Sequence, residues 1–303
     1  MPEQAINKRY FELARISLEI RSELPITDHT FDDKFLHFET EKPLQENIVL
    51  HHRFNGSSDI SRLYHLNAEN RIHFKVPWAI YYTENRLIYQ WIDHDPPHVN
   101  YYRSAITDKE HTHMDIYNDA AMEKKFMEGG LTTLTMFPTD QILMGRLLAY
   151  RQGCIIHSLG IDLDGQGVLF VGHSDAGKST MAGIMRQGAD ILCDDRNIIR
   201  KDKNKYTLSG TWSHGDIPDV SGRTIPLKAI FFLNQAPSNV IKPIRDDMHS
   251  FKSLLACLIR PLGTKDWWDK SLTLLSQISR DVPCYSLCFN KSDHIYSLVK
   301  EII

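Results

Sequence analysis

The alternation of apolar and polar residues in the first third of the chain predicts β-strands. The segment ARISLEIR places Ile16, Leu18 and Ile20 on one face of an extended chain and polar side chains on the other. Further on, AIYYTENRLIYQWI has two aromatic and β-branched runs on either side of Glu84–Asn85, which predicts a hairpin. We therefore expect residues 10–105 to form mainly an antiparallel β module.

The hydrophobic period changes in the middle of the chain. Apolar side chains recur at helical spacing over residues 139–150, after a candidate N-cap at Thr139 or Asp140, so the pattern predicts a helix there. We place the domain boundary at the start of this helix. Residues 1–138 are predicted to form a β-rich N-terminal domain, and residues 139–303 a second domain.

The second half of the chain alternates between strand and helix patterns, which is typical of an α/β domain. The segment CIIHSLGIDLDGQGVLFVG predicts a hairpin that turns at Asp164–Gly167, and its second strand, GVLFV, is followed by a glycine-rich loop and a helical segment, STMAGIMRQ. The segment VPCYSLCF predicts a strand. Further helices are predicted over residues 246–259, 265–280 and 291–302.

Composition and charge narrow the classes of partner. The chain has 303 residues, of which 42% are apolar and 24% charged, with a net charge of −3, as in a soluble globular protein. No stripe of lysine and arginine is present, so nucleic acid is not an expected partner. The sequence shows no signal-peptide pattern and no apolar run of membrane-spanning length, so we expect a cytoplasmic protein without a membrane partner. The five cysteines are scattered, and we expect them to be reduced.

The glycine-rich loop carries the strongest chemical signal. Its sequence, GHSDAGKST, fits the template G-x-x-x-x-G-K-[ST], in which backbone amides and a helix N-terminus surround nucleotide phosphates. The lysine reaches the β- and γ-phosphates, and the serine hydroxyl binds Mg²⁺. The alternative is an ordinary glycine-rich strand-to-helix turn. Within a nucleotide loop the backbone does the binding, so the side chains of His173 and Asp175 are expected to be solvated. The candidate nucleotide-binding residues are Gly172, His173, Ser174, Asp175, Ala176, Gly177, Lys178, Ser179 and Thr180.

Two adjacent acids could complete a phosphoryl-transfer site. Asp194 and Asp195 follow the apolar stretch Ile191–Cys193, which we expect to be the strand beside the strand of the loop. One carboxylate could hold the metal and the other could take the proton of the acceptor hydroxyl, because two neighbouring carboxylates shift each other's pKa. We assign Ser179 and Asp195 to the metal, and leave open which aspartate is the base. The alternative is a solvated Asp-Asp turn.

The order HSLGIDLDGQGVLFVGHSDAGKST followed by ADILCDDRNIIR resembles the HPr kinase/phosphorylase superfamily, whose phosphate-loop domain is related to phosphoenolpyruvate carboxykinase. The resemblance covers about residues 150–300 and implies an α/β fold with a mixed sheet around the phosphate loop. It implies that Gly172–Thr180 bind the phosphates of ATP and that Asp194 and Asp195 share metal binding and base catalysis. His157 would lie against the transferred phosphate or the base.

Other segments refine the resemblance. The segment SGTWSHGD resembles a segment of HPr-kinase-like proteins. The resemblance implies that His214 or Asp216 could contact metal or substrate. The alternative is a purely structural turn packed around Trp212. The signature E-[LI]-R-G-x-G of true HPr kinases is absent, so recognition of HPr itself is not implied. The first 150 residues resemble the leader of the HPr-kinase-related group, which includes kinases of lasso-peptide precursors. Relatives in the superfamily form hexamers, so a homo-oligomer is among the expected partners.

These patterns predict an ATP- and Mg²⁺-dependent kinase that transfers the γ-phosphoryl group to a hydroxyl, with a serine of a peptide or protein as the expected acceptor. The predicted catalytic residues are Asp194, Asp195, His157 and Lys178. Two alternatives stay open. One is a kinase for the hydroxyl of a small molecule, and the other is a nucleotide-sensing module that binds ATP without phosphoryl transfer. The residues that a carboxykinase would need are not recognisable.

Overall fold

The computed structural model describes residues 7–54, 60–95, 98–290 and 294–303. The chain forms two compact units. The first comprises Met1–Leu147 with Leu262–Thr264, and the second comprises Leu148–Pro261 with Lys265–Ile303. The domain boundary predicted at residue 139 stays a prediction.

The first unit is built mainly from strands. They are β1 (Asn7–Leu13), β2 (Ile16–Ser22), β3 (Glu39–Thr40), β4 (Asn47–Arg53), β5 (Arg71–Lys75), β6 (Trp78–Thr83), β7 (Arg86–Asp95), β8 (His98–Asp108) and β9 (His113–Asn118). The helices are α1 (Ile60–Leu63) and α2 (Ala120–Glu128). The described strands form one sheet in the order β3-β1-β2-β4-β9-β8-β7-β6-β5. The predicted hairpin at Glu84–Asn85 is confirmed, because β6 and β7 pair antiparallel around these two residues.

The expectation of an antiparallel module is wrong for the middle of this sheet. Strand β4 lies parallel to both β2 and β9, while the outer pairs are antiparallel. A parallel pair needs a crossover connection of about a dozen or more residues. The long segments between these strands, residues 23–46 and 54–112, supply such connections, and the alternation pattern carries no information about them.

A helix follows the first sheet where the helical period predicted one. It is α3 (Gln141–Ala149), and the Gln141 backbone amide donates a hydrogen bond to Thr139 Oγ1 over 3.2 Å. The other N-cap candidate, Asp140, uses its carboxylate differently: it accepts from the backbone amides of Leu134 and Thr135 at 2.9 and 3.0 Å. Thr139 Oγ1 therefore accepts from the first amide of the helix, and the Asp140 carboxylate holds the segment that precedes it.

The second unit contains the remaining elements. Its strands are β10 (Gly153–Leu163), β11 (Gln166–Val171), β12 (Asp190–Cys193), β13 (Arg196–Asp202), β14 (Lys205–Gly210), β15 (Thr224–Gln235), β16 (Val240–Pro243) and β17 (Cys284–Phe289). Its helices are α4 (Lys178–Met185), α5 (Asp247–Ala256), α6 (Lys265–Asp281) and α7 (His294–Ile302). The predicted C-terminal strand and helices are confirmed, except that residues 291–293 of the last one lie outside the described residues.

The strands of the second unit form the mixed sheet that was predicted. The predicted hairpin is β10–β11, and it turns at Asp164–Gly165. Strands β11, β15 and β17 run parallel to one another, and the other described pairs are antiparallel. Strand β10 has three partners along its length: residues 153–157 pair with β13, residues 160–162 pair with β12, and residues 158–163 pair with β11. His157 is the last residue of β10 that pairs with β13, and the pairing with β11 begins at the following residue.

The strand that precedes Asp194 and Asp195 is not beside β11, contrary to the prediction. Strand β12 pairs with β10, which lies between β12 and β11. The other edge of β11 is occupied by β15, with Val168–Val171 pairing to Ala229–Phe232. A strand of four residues competes poorly with these longer pairings, and strand neighbours depend on such competition rather than on local pattern.

Helices pack against both faces of the parallel strands, as expected for a sheet buried on both sides. Successive strand residues point to opposite faces. On one face, Phe170 and Phe231 pack with residues of α4 and α7. On the other, Leu169 and Phe232 pack with residues of α5 and α6. The carboxyl ends of β11 and β15 therefore emerge between two helical layers, where ligands of α/β sheets bind.

Candidate active site

The glycine-rich loop joins the end of β11 to the start of α4 in a tight turn. Gly177 has a φ of 96°, and a Cβ atom there would lie 2.6 Å from the ring of Phe289. A Cβ at Gly172 would lie 2.5 Å from the Cβ of Ala176. Only glycine fits both positions, which explains the spacing of the motif. The loop is also held from outside, since Gln235 Nε2 donates to the carbonyl oxygen of Asp175 over 2.7 Å.

Lys178 is the first residue of α4, and its ammonium group folds back under the loop. Its Nζ atom donates to the carbonyl oxygens of Gly172 and His173, at 3.2 and 3.1 Å. Burial lowers the pKa of Lys178, and the negative charges around it, of which Asp195 is the largest, offset only part of that effect. An ammonium group has three N–H donors. The two carbonyls therefore leave one donor for a ligand at the N-terminus of α4.

Asp195 forms ion pairs with two side chains from neighbouring strands, His157 of β10 and Arg196 of β13. Its Oδ1 is 2.8 Å from His157 Nε2, and its Oδ2 is 2.7 Å from Arg196 Nη1. The β10–β13 register places His157 directly opposite Arg196. Burial alone would raise the pKa of Asp195, but the hydrogen bond with His157 and the charges of Arg196, His157 and Lys178 together lower it. The carboxylate is therefore held in its ionised form.

Asp194 differs from its neighbour, because the backbone satisfies its carboxylate. The side chain is buried, and its two oxygens accept from the amides of Gly215 and Ile217 at 2.6 and 2.9 Å. These bonds hold the segment that contains Asp216, whose Oδ2 lies 3.4 Å from Ser179 Oγ. Asp194 thus fixes the backbone on either side of Asp216.

These groups line one open cleft with a volume of about 520 Å³. It brings together His157, Ser174, Asp175, Gly177, Lys178, Ser179, Thr180, Asp194, Asp195, Gly215, Asp216 and Gln235. Three candidate loop residues, Gly172, His173 and Ala176, line a different cavity. His214 does not line the cleft; its Nδ1 is 3.0 Å from the carbonyl oxygen of Gly215.

Gln235 is a supporting residue that the sequence analysis missed. It lies at the end of β15, in the segment FFLNQ, and nothing in that segment distinguishes it from other polar residues at strand ends. Asp216 was named as a candidate, but its partner Ser179 could not be foreseen, because the contact depends on the two amide bonds to Asp194.

The donor set of the cleft fits Mg²⁺. In octahedral coordination with metal–oxygen distances of about 2.0–2.1 Å, neighbouring oxygens lie roughly 3 Å apart. The 3.4 Å between Ser179 Oγ and Asp216 Oδ2 is close to that spacing. In the described part of the chain, no group of three or more His, Cys, Asp or Glu side chains is arranged to hold a metal. Mg²⁺ does not need one, because it is commonly bound by one or two carboxylates together with substrate phosphates.

The fold and the loop define a mixed-sheet α/β domain with a phosphate-loop motif between its central strand and a helix. The model of the SynChlorMet cassette protein ScmC family matches residues 124–302, which is more than half of the chain. The protein therefore belongs to this family.

The chain is also similar to HPr kinase/phosphorylase of Chlorobium phaeobacteroides (strain BS1), with 27% identity over 187 residues. The matched region covers 58% of this chain and 47% of that protein, so the chain spans about half the length of this curated relative. The predicted resemblance to the HPr kinase/phosphorylase superfamily is confirmed by this match.

Among solved structures, the HPr(Ser) kinase/phosphatase of Coxiella burnetii matches 49% of this chain and 87% of its own, at 12% identity and a TM-score of 0.30.

Within the described ranges, no helix has both the length and the apolar character needed to cross a membrane.

Proposed function

We propose that this protein is an ATP-dependent kinase that transfers the γ-phosphoryl group to a hydroxyl, with a serine of a peptide or protein as acceptor. The observation that supports this most directly is the position of Asp195. Its carboxylate, paired with His157, lines the same cleft as Lys178 and the N-terminus of α4. A site that only bound nucleotide would need the loop and the lysine, but not a half-buried carboxylate paired with a histidine beside them.

The loop and Lys178 would bind the phosphates. Backbone amides at the start of α4 and the helix dipole favour a negative charge there. The remaining N–H donor of Lys178 would contact the β- and γ-phosphates, as in other phosphate loops. Phosphoryl transfer has a loose transition state, so positioning and charge neutralisation by these groups supply most of the rate.

Asp195 would act as the general base. As the acceptor oxygen bonds to the γ-phosphorus and the bond from phosphorus to the β–γ bridging oxygen breaks, the hydroxyl proton would pass to the Asp195 carboxylate and ADP would leave. His157 and Arg196 hold this carboxylate from two sides. Asp194 is left with a positioning role, because the amides of Gly215 and Ile217 occupy both its oxygens.

Ser179 and Asp216 would hold Mg²⁺, since their oxygens face each other across the cleft. When bound, the metal neutralises charge on the β- and γ-phosphates. The sequence-based assignment of Asp195 to the metal stays a prediction. The contacts with His157 and Arg196 favour the base for that residue.

The choice of acceptor rests on relatives. The name of the curated relative describes a kinase of the protein HPr, which favours a peptide or protein as acceptor, and serine is the acceptor expected from the sequence resemblance. The open form of the cleft is compatible with a chain segment. The alternative acceptor is the hydroxyl of a small molecule, and the experiment below separates the two.

The test is to incubate the purified protein with ATP, Mg²⁺ and serine-containing peptides and to measure the intact mass of each peptide. Transfer adds about 80 Da, the mass of one phosphoryl group. We expect Lys178→Ala to reduce the rate by about 100-fold or more, because it removes a donor that stabilises the transferring phosphoryl group.

Lys205→Ala is the matched control, since this exposed lysine on β14 lies away from the cleft. It should transfer phosphate at the wild-type rate. Phosphorylation of a small alcohol but of no peptide would favour the small-molecule kinase. Tight ATP binding without any phosphorylated product would favour the nucleotide-sensing module and contradict the proposal.

A further inference from the structure

A second cavity, of about 410 Å³, lies against the first half of the phosphate loop. Gly172, His173 and Ala176 line it, whereas the later loop residues line the acidic cleft. Its opposite wall is α5, where Cys257 Sγ, just after the helix, lies 4.0 Å from His173 Nδ1. The two cavities thus share the loop as a common wall.

The chemistry of this cavity differs from that of the cleft. Phe232, Leu233 and Val171 at the ends of β15 and β11 give it an apolar lining, and the basic side chains of Lys252 and His249 contribute from α5. None of its described lining residues is acidic, whereas four aspartates line the cleft. Such a cavity suits an apolar group with a negative charge close by.

The cavity lies beside the part of the loop where the γ-phosphate end of ATP would bind. The loop lysine reaches the β- and γ-phosphates, and Lys178 Nζ is bonded to the carbonyls of Gly172 and His173. The γ-end of the nucleotide would therefore lie by these early loop residues, and the nucleoside would leave past Ser179–Thr180. An acceptor attacks in line, opposite the leaving oxygen. It must therefore approach at the γ-end, next to this cavity.

We propose that this cavity is the acceptor-specificity subsite: it takes an apolar side chain of a peptide next to the serine that enters the cleft. An acidic residue of the same peptide would pair with Lys252 or His249. This inference rests on the proposed kinase function and adds the class of acceptor, a peptide with apolar and acidic residues flanking its serine. The nucleoside base is the competing occupant, and the experiment distinguishes the two.

The test fills the cavity from α5. Ala256 lines it and is exposed, so Ala256→Trp can place an indole in the cavity without disturbing the core. Met248→Trp is the control on the same helix, because Met248 is 55% exposed and does not line the cavity. The probe is a library of peptides with one central serine and randomised flanking positions, phosphorylated with ATP and Mg²⁺ and sequenced.

We expect the wild type to select an apolar residue next to the serine and Asp or Glu nearby. Ala256→Trp should raise the KM for the selected peptides by about 10-fold or more, since one well-placed apolar contact contributes about that much discrimination. Its Kd for ATP should stay unchanged, and Met248→Trp should behave as wild type. Lys252→Glu should weaken the selection for acidic residues alone.

Several outcomes would overturn this inference while leaving the proposed function intact. They are phosphorylation without an apolar preference, an Ala256→Trp variant with unchanged selection, and weaker ATP binding by that variant, which would assign the cavity to the nucleoside. Transfer only to small alcohols, or no phosphorylated product from a protein that binds ATP, would instead contradict the proposed function as well as this inference. A wild type that binds no ATP would contradict the proposed function itself, and this inference with it.

Discussion

At the scale of single residues, the two adjacent aspartates show how neighbouring, chemically identical side chains acquire different roles. Asp194 turns its carboxylate to backbone amides of the 215–217 segment, whereas Asp195 turns its carboxylate to His157 and Arg196. Their positions in the chain differ by one residue at a strand end, so they leave the strand in different directions. Asp194 therefore fixes the backbone of the 215–217 segment, and Asp195 lies beside the ionisable groups of the cleft.

Removal of the Asp194 carboxylate should destabilise the fold. Asp194→Ala leaves two part-buried backbone amides without their acceptor, which costs about 1–3 kcal/mol for an unsatisfied buried group. Urea unfolding of the variant and the wild type measures the difference. Asp269→Ala, at an exposed position on α6, is the control and should change stability by less than about 0.5 kcal/mol. Equal loss in both variants would show that the amide contacts of Asp194 contribute nothing specific.

The ion pairs of Asp195 predict a pH dependence of stability. The pKa of Asp195 in the folded protein is lowered from 3.8, so its stabilising contribution is fully present above the unfolded pKa and is lost as the pH falls through the folded one. The free energy of unfolding should therefore differ between wild type and Asp195→Asn by a constant amount above about pH 5, and the difference should shrink below about pH 4. Urea unfolding over this pH range measures it. A difference that grows toward acid pH would contradict the assigned direction.

At the scale of elements, the β10–β11 hairpin and helix α4 position the loop between them. The hairpin turns through two residues with positive φ, Asp164 at 54° and Gly165 at 81°. Two consecutive positive φ values are typical of a type I′ turn, whose twist matches that of the strands. Helix α4 packs Met181 and Met185 into the core, while Gly183 faces outward. The loop geometry therefore depends on the position of both the hairpin and the helix.

Two glycine substitutions in these elements should have opposite effects on stability. Gly165→Ala introduces a Cβ at positive φ and should destabilise by about 1 kcal/mol, although no atom lies within 4 Å of the new methyl group. Gly183→Ala should stabilise by up to about 1 kcal/mol, because Gly183 is exposed within a helix and its added Cβ also meets nothing. Thermal or urea unfolding tests both. Effects of the same sign would mean that the backbone conformation does not govern these sites.

The elements themselves were largely predictable, since each is specified by local pattern. The hairpin turn, the helix after Lys178 and the C-terminal helices agree with their predicted ranges within a few residues. The neighbour of β12 was not predictable. Strand pairing is decided by competition for the edges of β10 and β11, and residues far along the chain, such as those of β15, take part in that competition.

At the scale of the whole molecule, two compact units with separate sheets form the chain, and every candidate catalytic residue lies in the second. The first unit has a mixed sheet with parallel pairs at its centre, where the alternation pattern predicted antiparallel pairs. Because the candidate catalytic residues lie in the second unit, binding of ATP should directly stabilise that unit.

ATP with Mg²⁺ should stabilise the unit formed by residues 148–261 and 265–303. A ligand at 100 times its Kd contributes about 2.7 kcal/mol to the free energy of unfolding of the species that binds it. Hydrogen exchange read by mass spectrometry should show slower exchange in this unit, most clearly around the loop and α4. The Lys178→Ala variant at the same nucleotide concentration is the control and should show a smaller change. Slowing confined to the first unit would contradict the location of the site.

By itself, the sequence determined the features that are local in the chain. The loop from Gly172 to Thr180 follows from glycine spacing, the strands and helices follow from their periods, and the adjacent aspartates were visible as a pair after an apolar stretch. Each depends only on the conformational preferences of a few consecutive residues. The resemblance to HPr kinase/phosphorylase could be recognised from the same segments.

Only the tertiary structure decided which of these features meet. The contact of His157 with Asp195, the approach of Asp216 to Ser179, the support of the loop by Gln235 and the second cavity beside α5 all join residues far apart in the chain. Such contacts depend on strand order and register, which are set by packing of the whole sheet against its two helical layers. Local preferences allow several orders of strands, and the burial of the core selects one.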